Sequence, residues 1–194
     1  MLKLTSIRIA LLSAAAVSAL ALTAPVQAQD KMMKSEMSGE KTVMVGGAPM
    51  YRTKNIVENA VNSKDHTTLV AAVKAAGLVD TLASKGPFTV FAPTNAAFGK
   101  LPAGTVDSLV KPENKATLTK ILTYHVVPGK LAAADLTDGK KLKTVEGEDL
   151  TVKLDGKKVW IVDAKGGTSA VTIPDVNQSN GVIHVVDTVL MPAT

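Results

Sequence analysis

Hydrophobic positions recur along this chain with two different periods, and the period changes near the middle. From Asn55 to Leu82 the spacing is helical. Ile56 with Ala60, and Val57 with Val61, stand one turn apart, and Asn55 precedes them with Glu58 three residues on, the pattern of a capping box. Asp65 is expected to open a second helix whose apolar stripe is Leu69, Val70, Val73 and Ala76, with Gly77 closing it. Leu78, Val79 and Leu82 add a further short turn before Gly86-Pro87. Phe88-Thr89-Val90-Phe91 is aromatic and β-branched and reads as a strand. Pro93 stops it, and Thr94 or Asn95 caps a turn carrying Ala97 and Phe98. Thr105 is expected to cap Val106–Val110. Asn114 is expected to cap a helix striped by Leu118, Ile121 and Leu122 that runs into the strand Tyr124–Val127, ended by Pro128-Gly129.

Beyond residue 135 the period falls to two. Asp138-Gly139 and Asp155-Gly156 are hairpin-type pairs, each followed by Lys-Lys. Strand-like runs cover Lys143–Val145, Leu150–Leu154, Val159–Val162 and Ala170–Ile173, and Asn180-Gly181 starts the last, Val182–Val186. Val152 and Leu154 would face inward with Val159 and Ile161, leaving Lys153 and Trp160 on the outer face. Short helices early, strands late and short loops predict an α+β fold with a mainly antiparallel sheet.

The N-terminus obeys neither period. Lys3 and Arg8 precede an uncharged run from Ile9 to Leu22, and Val26-Gln27-Ala28 offers small residues at a cleavage site. Residues 1–28 therefore read as a secretory signal peptide. The run is shorter than the roughly 20 residues a membrane span needs, and no later segment approaches that length. Residues 29–47 are rich in Met and Lys, end in Gly46-Gly47, and read as a flexible tail ahead of one domain over 48–194. Met thioethers suit Cu(I), but the Met spacing here is irregular and no His or Cys joins it, so a solvated linker is the better reading.

Export changes the charge. Losing Lys3 and Arg8 lowers the formal net charge from +5 to +3. The remaining Lys residues are scattered and Arg52 is the only mature Arg, which argues against nucleic-acid binding. Zero Cys removes disulfides, thiol chemistry, thiolate metal sites and a lipid-modified N-terminus. No nucleophile elbow is present. His66, His125 and His184 lie far apart without a metal-ligand spacing, and Gly166-Gly167-Thr168 lacks the Lys and the length of a phosphate loop. Glu146, Glu148 and Asp149 do not follow the calcium-loop pattern and are expected to solvate a turn. The expectation is a non-enzymatic protein with no cofactor and no metal.

Three separated blocks carry a family resemblance. Thr89-Val90-Phe91-Ala92-Pro93-Thr94-Asn95-Ala96-Ala97-Phe98 is similar to the first signature block of the fasciclin-like domain. Tyr124-His125-Val126-Val127-Pro128-Gly129 resembles its Tyr-His block, and Asn180–Asp187 with Val189–Pro192 resembles its closing block. They occur in order over roughly residues 50–192. The resemblance implies a wedge-shaped β-sandwich decorated by several short helices. It also implies cell adhesion, surface association or matrix contact by a protein acting in the periplasm or outside the cell.

The residues themselves supply plain structural roles. Phe91 and Phe98 are core anchors, and His184, sharing a face with Val182 and Val186, is expected to be a hydrogen-bonded structural histidine. In animal relatives the Tyr-His block has been proposed as a receptor-binding motif, which makes Tyr124 and His125 candidate contacts. Aromatic residues beside a Val-Val strand ordinarily pack, however, so a structural role is the preferred reading. Pro174-Asp175-Val176 is similar to an adhesive element of the family, an acidic residue followed by an aliphatic one. Ile173 replaces the acidic residue some relatives carry before Pro, and Val176 replaces Ile. Asn177-Gln178-Ser179 is a glycosylation sequon expected to be unused. The candidate partner-binding residues are therefore Tyr124, His125, Trp160, Asp175 and Val176. Two functions follow: a surface-interaction module contacting cell-surface or matrix proteins or glycans, with weak self-association, or a carrier of an apolar small molecule such as a lipid or pigment. A carrier would need a groove between helices and sheet.

Overall fold

The computed structural model describes residues 42–193. The first described element corrects the expected tail boundary. Val43–Val45 (β1) and Ala48–Met50 (β2) form an antiparallel hairpin in which Val45 pairs with Ala48. Gly46 and Gly47 have φ of 57° and 75°, the left-handed pair a two-residue type I′ turn requires. A side chain at Gly46 would also collide with Ser63 Oγ and the backbone of Asp65. The rest of the expected tail, 29–41, and the expected signal peptide, 1–28, lie outside the described residues.

The early helices follow their local signals closely. Ile56–Ala60 (α1) opens with a capping box in which Glu58 N donates to Asn55 Oδ1 at 2.9 Å and Asn55 N to Glu58 Oε2 at 2.8 Å. A single 3₁₀ turn, Lys64–His66, then precedes Thr67–Ala76 (α2), so this helix opens two residues after the expected Asp65. Gly77, at φ 76°, ends it in a Schellman motif, with Leu78 N bonded to Val73 O at 3.0 Å. Val79–Ala83 (α3) follows. Asn95–Gly99 (α4) is capped by Thr94 Oγ1, which accepts from Ala97 N. That frees the Asn95 side chain to cap a different helix: its Oδ1 accepts from Thr68 N at 3.0 Å and its Nδ2 donates to Lys64 O at 2.8 Å. Thr105–Leu109 (α5) and Lys115–Tyr124 (α6) complete the helices. Neither uses the expected side-chain cap; Asn114 Nδ2 instead donates to Ser108 O at 2.8 Å.

Seven strands form the main sheet: Phe88–Pro93 (β3), Val126–Pro128 (β4), Lys141–Lys143 (β5), Asp149–Asp155 (β6), Lys158–Val162 (β7), Thr168–Gln178 (β8) and Gly181–Val186 (β9). Their spatial order is β4-β3-β9-β8-β7-β6-β5, and every pairing is antiparallel except β3 with β9. β8 is long and loses register twice, between Val171 and Ile173 and between Ile173 and Val176. Such bulges bend a strand and let β8 belong to both halves of the sheet. Val145 N donates to Val126 O at 2.7 Å, so the two outermost strands are brought together and the sheet nearly closes on itself.

Two hydrophobic cores result. One lies between the helices and one face of β3 and β9, and contains Val90, Ala92, Phe98, Ile183 and Val185. The other fills the interior of the folded sheet, with Phe91, Tyr124, Leu136, Leu150, Val152, Ile161 and Val186. The alternation of β3 sends Phe91 to one core and its neighbours Val90 and Ala92 to the other. The architecture is the expected α+β sandwich with several short helices.

Some turn assignments change. Asp155-Gly156 does make the β6–β7 hairpin, with Asp155 opposite Lys158. Asp138-Gly139 does not join two strands. It leads into β5 and docks on β6, where Asp138 Oδ1 accepts from Leu154 N at 2.8 Å. The β5–β6 connection is the acidic stretch 144–148. Its carboxylates do more than solvate it: Glu146 lies 3.6 Å from Lys120 Nζ on α6, and Glu148 Oε2 accepts from Ala193 N at 2.8 Å.

Candidate functional site

The Tyr-His block sits at the junction of α6 and β4, pointing inward. Tyr124 is fully buried. Its hydroxyl accepts from Ala164 N at 2.8 Å and donates to Asp149 O at 3.3 Å, tying α6 to the β5–β7 half of the sheet. Burial pushes its pKa up to about 12. His125 is buried too. Nδ1 donates to Ile121 O at 2.8 Å, and Nε2 accepts from Leu190 N at 3.0 Å. That leaves a neutral ring with both nitrogens used. Burial drives its pKa down to about 4, against the opposing pull of the Ile121 carbonyl and Asp163. Neither residue presents a side chain to the surface, so their candidacy as partner contacts gives way to the structural reading.

Pro174-Asp175-Val176 lies on the irregular part of β8. Asp175 has φ 57°, uncommon for a residue with a side chain. Its carboxylate accepts from Ala133 N at 2.7 Å and its own N–H points at His184 Nδ1, 3.3 Å away. The left-handed residue interrupts the alternation of the strand and turns Val176 inward, where it is 1% exposed. Val176 is thus withdrawn from any partner, and Asp175 is a half-buried brace between β8 and the turn before β5. His184 is fully buried; Nε2 donates to Leu131 O at 2.8 Å, and burial lowers its pKa. It is the structural histidine the strand pattern predicts.

Trp160 alone among the five candidates faces outward. β6 and β7 pair Val152 with Ile161, both fully buried, and therefore Lys153 with Trp160 on the opposite face. On its other side Trp160 is paired with Ala170, whose small side chain leaves the indole uncovered. The same face carries exposed Lys141, Lys143 and Lys158 against Asp149 and Asp155. Among the described residues these four lysines enter no ion pair, and the indole N–H has no partner. The face combines one half-buried aromatic platform with a surplus of free cations.

A residue type missed by the sequence reading is the buried amide. Asn180, in the β8–β9 turn, accepts from Ile56 N at 3.0 Å through Oδ1 and donates through Nδ2 to Leu82 O and Ser84 O, both at 2.7 Å. Asn59 donates to Tyr51 O and to Gln178 Oε1. Gly181 follows Asn180 because a Cβ there would overlap the Phe88 carbonyl. The Asn-Gly pair looks like turn chemistry in the sequence; in space it fastens α1, α3 and the turn after α3 to the sheet.

A fasciclin domain profile matches residues 64–192, two thirds of the chain, and takes in all three signature blocks. The chain belongs to the fasciclin family. A Synechocystis relative, protein sll1483, is 49% identical over 177 residues, covering 91% of this chain and 93% of that protein. Immunogenic protein MPB70 of Mycobacterium bovis is 42% identical over 138 residues, 69% of this chain and 66% of the relative. The cell surface glycolipoprotein MPB83 of the same species is 41% identical and is matched over 58% of its own length. Among solved structures, a FAS1 domain pair from the insect cell adhesion molecule fasciclin I superposes with a TM-score of 0.64 at 20% identity, over 71% of this chain and 51% of that one. That likeness establishes the fold. Within the fasciclin fold of this chain, the signature blocks are the best buried part: Phe91, Tyr124, His125 and His184 hold the two cores together. The outward-facing candidate, Trp160, lies outside all three blocks.

Proposed function

We propose that this fasciclin protein is exported and works as a non-enzymatic surface-contact module, with the outer face of β5–β7 as its contact face. The observation that carries the reading is the Lys153–Trp160 pair, an exposed cation beside a half-buried indole at the centre of a face with four unpaired lysines. Aromatic rings give apolar area and an N–H at low entropic cost. Cations favour acidic partners and make the contact sensitive to salt. The partner with matching chemistry is an acidic glycan of the envelope or matrix. Support comes from the family, from the cell-surface description of MPB83, and from the signal-like residues 1–28. Among the described residues no helix is long and apolar enough to cross a membrane.

The test is solid-phase binding of residues 29–194 to an immobilised acidic polysaccharide and to a neutral one, against a heat-unfolded control. Weak, reversible, salt-sensitive binding to the acidic polymer is expected. Trp160→Ala should weaken it about tenfold, the loss of one aromatic contact worth about 1.4 kcal/mol. Binding no better than that of the unfolded control would sink the proposal.

A further inference from the structure

The lysines of the outer β5–β7 face fall on a line. Lys143 is paired with Asp149, Lys141 with Thr151, Lys153 with Trp160 and Lys158 with Asp155. Each pair is displaced by two residues along the strands from the one before it. Lys143, Lys141, Lys153 and Lys158 therefore step from β5 across β6 to β7 along one diagonal. Strand geometry spaces neighbours on this diagonal by about 7–8 Å and gives it a span of roughly 20 Å. All four lysines are exposed, and among the described residues none enters an ion pair. Trp160 stands beside the line, across from Lys153 and two residues from Lys158. Asp149 and Asp155, both on β6, flank the line on opposite sides, one near each end.

The repeated Asp-Gly-Lys-Lys motif builds this line. Each copy gives its second lysine, Lys141 or Lys158, to the face. The first copy is docked on β6 beside the second: Asp138 Oδ1 accepts from Leu154 N and Gly139 N donates to Val152 O, both at 2.8 Å. The first lysine of that copy is committed elsewhere, with Lys140 Nζ donating to Asp135 O at 2.7 Å.

We propose that the diagonal is a track for a linear acidic polysaccharide, laid from Lys143 to Lys158 with one sugar ring stacked on Trp160. The inference rests on the surface-contact reading and adds the shape and minimum length of the ligand. A line one charge wide, bounded by a carboxylate on each side, fits a chain that carries anions along its length. An anionic bilayer would present a plane of charge to both aspartates and would call for apolar side chains to insert; none of the exposed large apolar residues belongs to these rows. Single-stranded nucleic acid stacks successive bases on several aromatic rings, and this face has one. A pyranose chain needs only one ring, because its C–H face covers the indole while its carboxylates or sulfates meet the lysines. Lysine suits the task, since a point charge on a flexible stem follows anions whose spacing differs from that of the strands. The span corresponds to about four or five sugar rings.

The chain has one tryptophan, so its fluorescence reports this face. The experiment titrates residues 29–194 with oligogalacturonates from the dimer to the octamer, following Trp160 fluorescence at several salt concentrations. Affinity is expected to climb to about five units and then level, with the dimer at least about tenfold weaker than the pentamer. The slope of log Kd against log salt should be about 2–3 for the pentamer and fall by about 0.5–1 in each of Lys141→Gln, Lys143→Gln, Lys153→Gln and Lys158→Gln. Lys74→Gln, on α2, should leave it unchanged. No binding of the acidic polymer or of any oligomer would remove the surface-contact reading and the track together. Polymer binding with equal affinity from dimer to octamer, with no fluorescence change for any oligomer, or with a slope untouched by all four substitutions would overturn the track alone. Tighter binding of an oligothymidylate of equal charge would assign the line to nucleic acid and overturn the polysaccharide.

Discussion

Phe91 and His184 occupy facing positions on the parallel strands β3 and β9, and their rings stack with centroids 5.7 Å apart and planes 26° from parallel. Each belongs to a different signature block, so the stack is where two distant parts of the sequence meet inside the sheet. The histidine adds what a phenylalanine could not: Nε2 donates to Leu131 O and Nδ1 faces Asp175 N. His184→Phe keeps the stacking surface and leaves both backbone groups unmet. At about 1–3 kcal/mol per abandoned group, a loss of roughly 2–4 kcal/mol is expected in urea unfolding. A change under 0.5 kcal/mol would show that the ring acts as packing alone.

Asn180 is expected to be as costly despite its small size. Its amide meets Ile56 N, Leu82 O and Ser84 O, three backbone groups on α1, α3 and the turn that follows. Asn180→Ala strands all of them, and about 2–4 kcal/mol should be lost. Because α1 and α3 have five residues each, too few to hold alone, amide exchange in both should accelerate before the sheet loosens. Uniform acceleration across β6 and β7 would contradict this anchoring role.

Much of this was legible where the signal is local. The capping box at Asn55, the left-handed Gly77 and the alternation through Val152 and Ile161 each need only a few consecutive residues, and each appears in the structure. Features decided by distant segments were not legible. β3 pairs in parallel with a strand some 90 residues later. Asn95 caps a helix from across a loop, and the diagonal of Lys143, Lys141, Lys153 and Lys158 exists only once three strands pair. β1 and β2 have three residues each, too short for a period to show. Val176 was a candidate contact because Pro174-Asp175-Val176 resembles an adhesive element of the family; its burial depends on the left-handed Asp175 and on the pairing of β8 with β9, which the sequence does not display. Trp160 was readable as outward-facing because its strand is regular on both sides.

That regularity gives a paired prediction at adjacent positions. Ile161 is fully buried in the inner core, whereas Trp160 is half-buried on the other face. Ile161→Ala should cost about 2–5 kcal/mol, as for other core truncations. Trp160→Ala, though it removes the larger side chain, should cost about 1 kcal/mol or less in unfolding. If Trp160→Ala proved the more destabilising, the indole would be a core residue and the proposed contact face would lose its centre.

All three histidines are buried with lowered pKa values, which sets a direction for stability against pH. His125 is the clearest case: desolvation takes it from 6.5 to about 4. Above pH 6.5 the ring is neutral in both folded and unfolded chains, and stability is complete. As pH falls from 6.5 toward 4, the unfolded chain takes up the proton and the folded one does not, so stability drains away across that window. Below about 4 the folded ring protonates as well and this contribution stops growing. At 1.36 kcal/mol per unit, His125 alone removes about 3 kcal/mol, and His66 and His184 act in the same direction. The urea midpoint should therefore drop steadily as pH falls below 7, and the part of the fall between pH 7 and about pH 5.5 lies above the range where carboxylates titrate. His125→Gln should start lower and fall less steeply. A midpoint that stays flat over that interval would mean that the folded chain protonates His125 as readily as the unfolded chain does, giving up the hydrogen bond from Leu190 N.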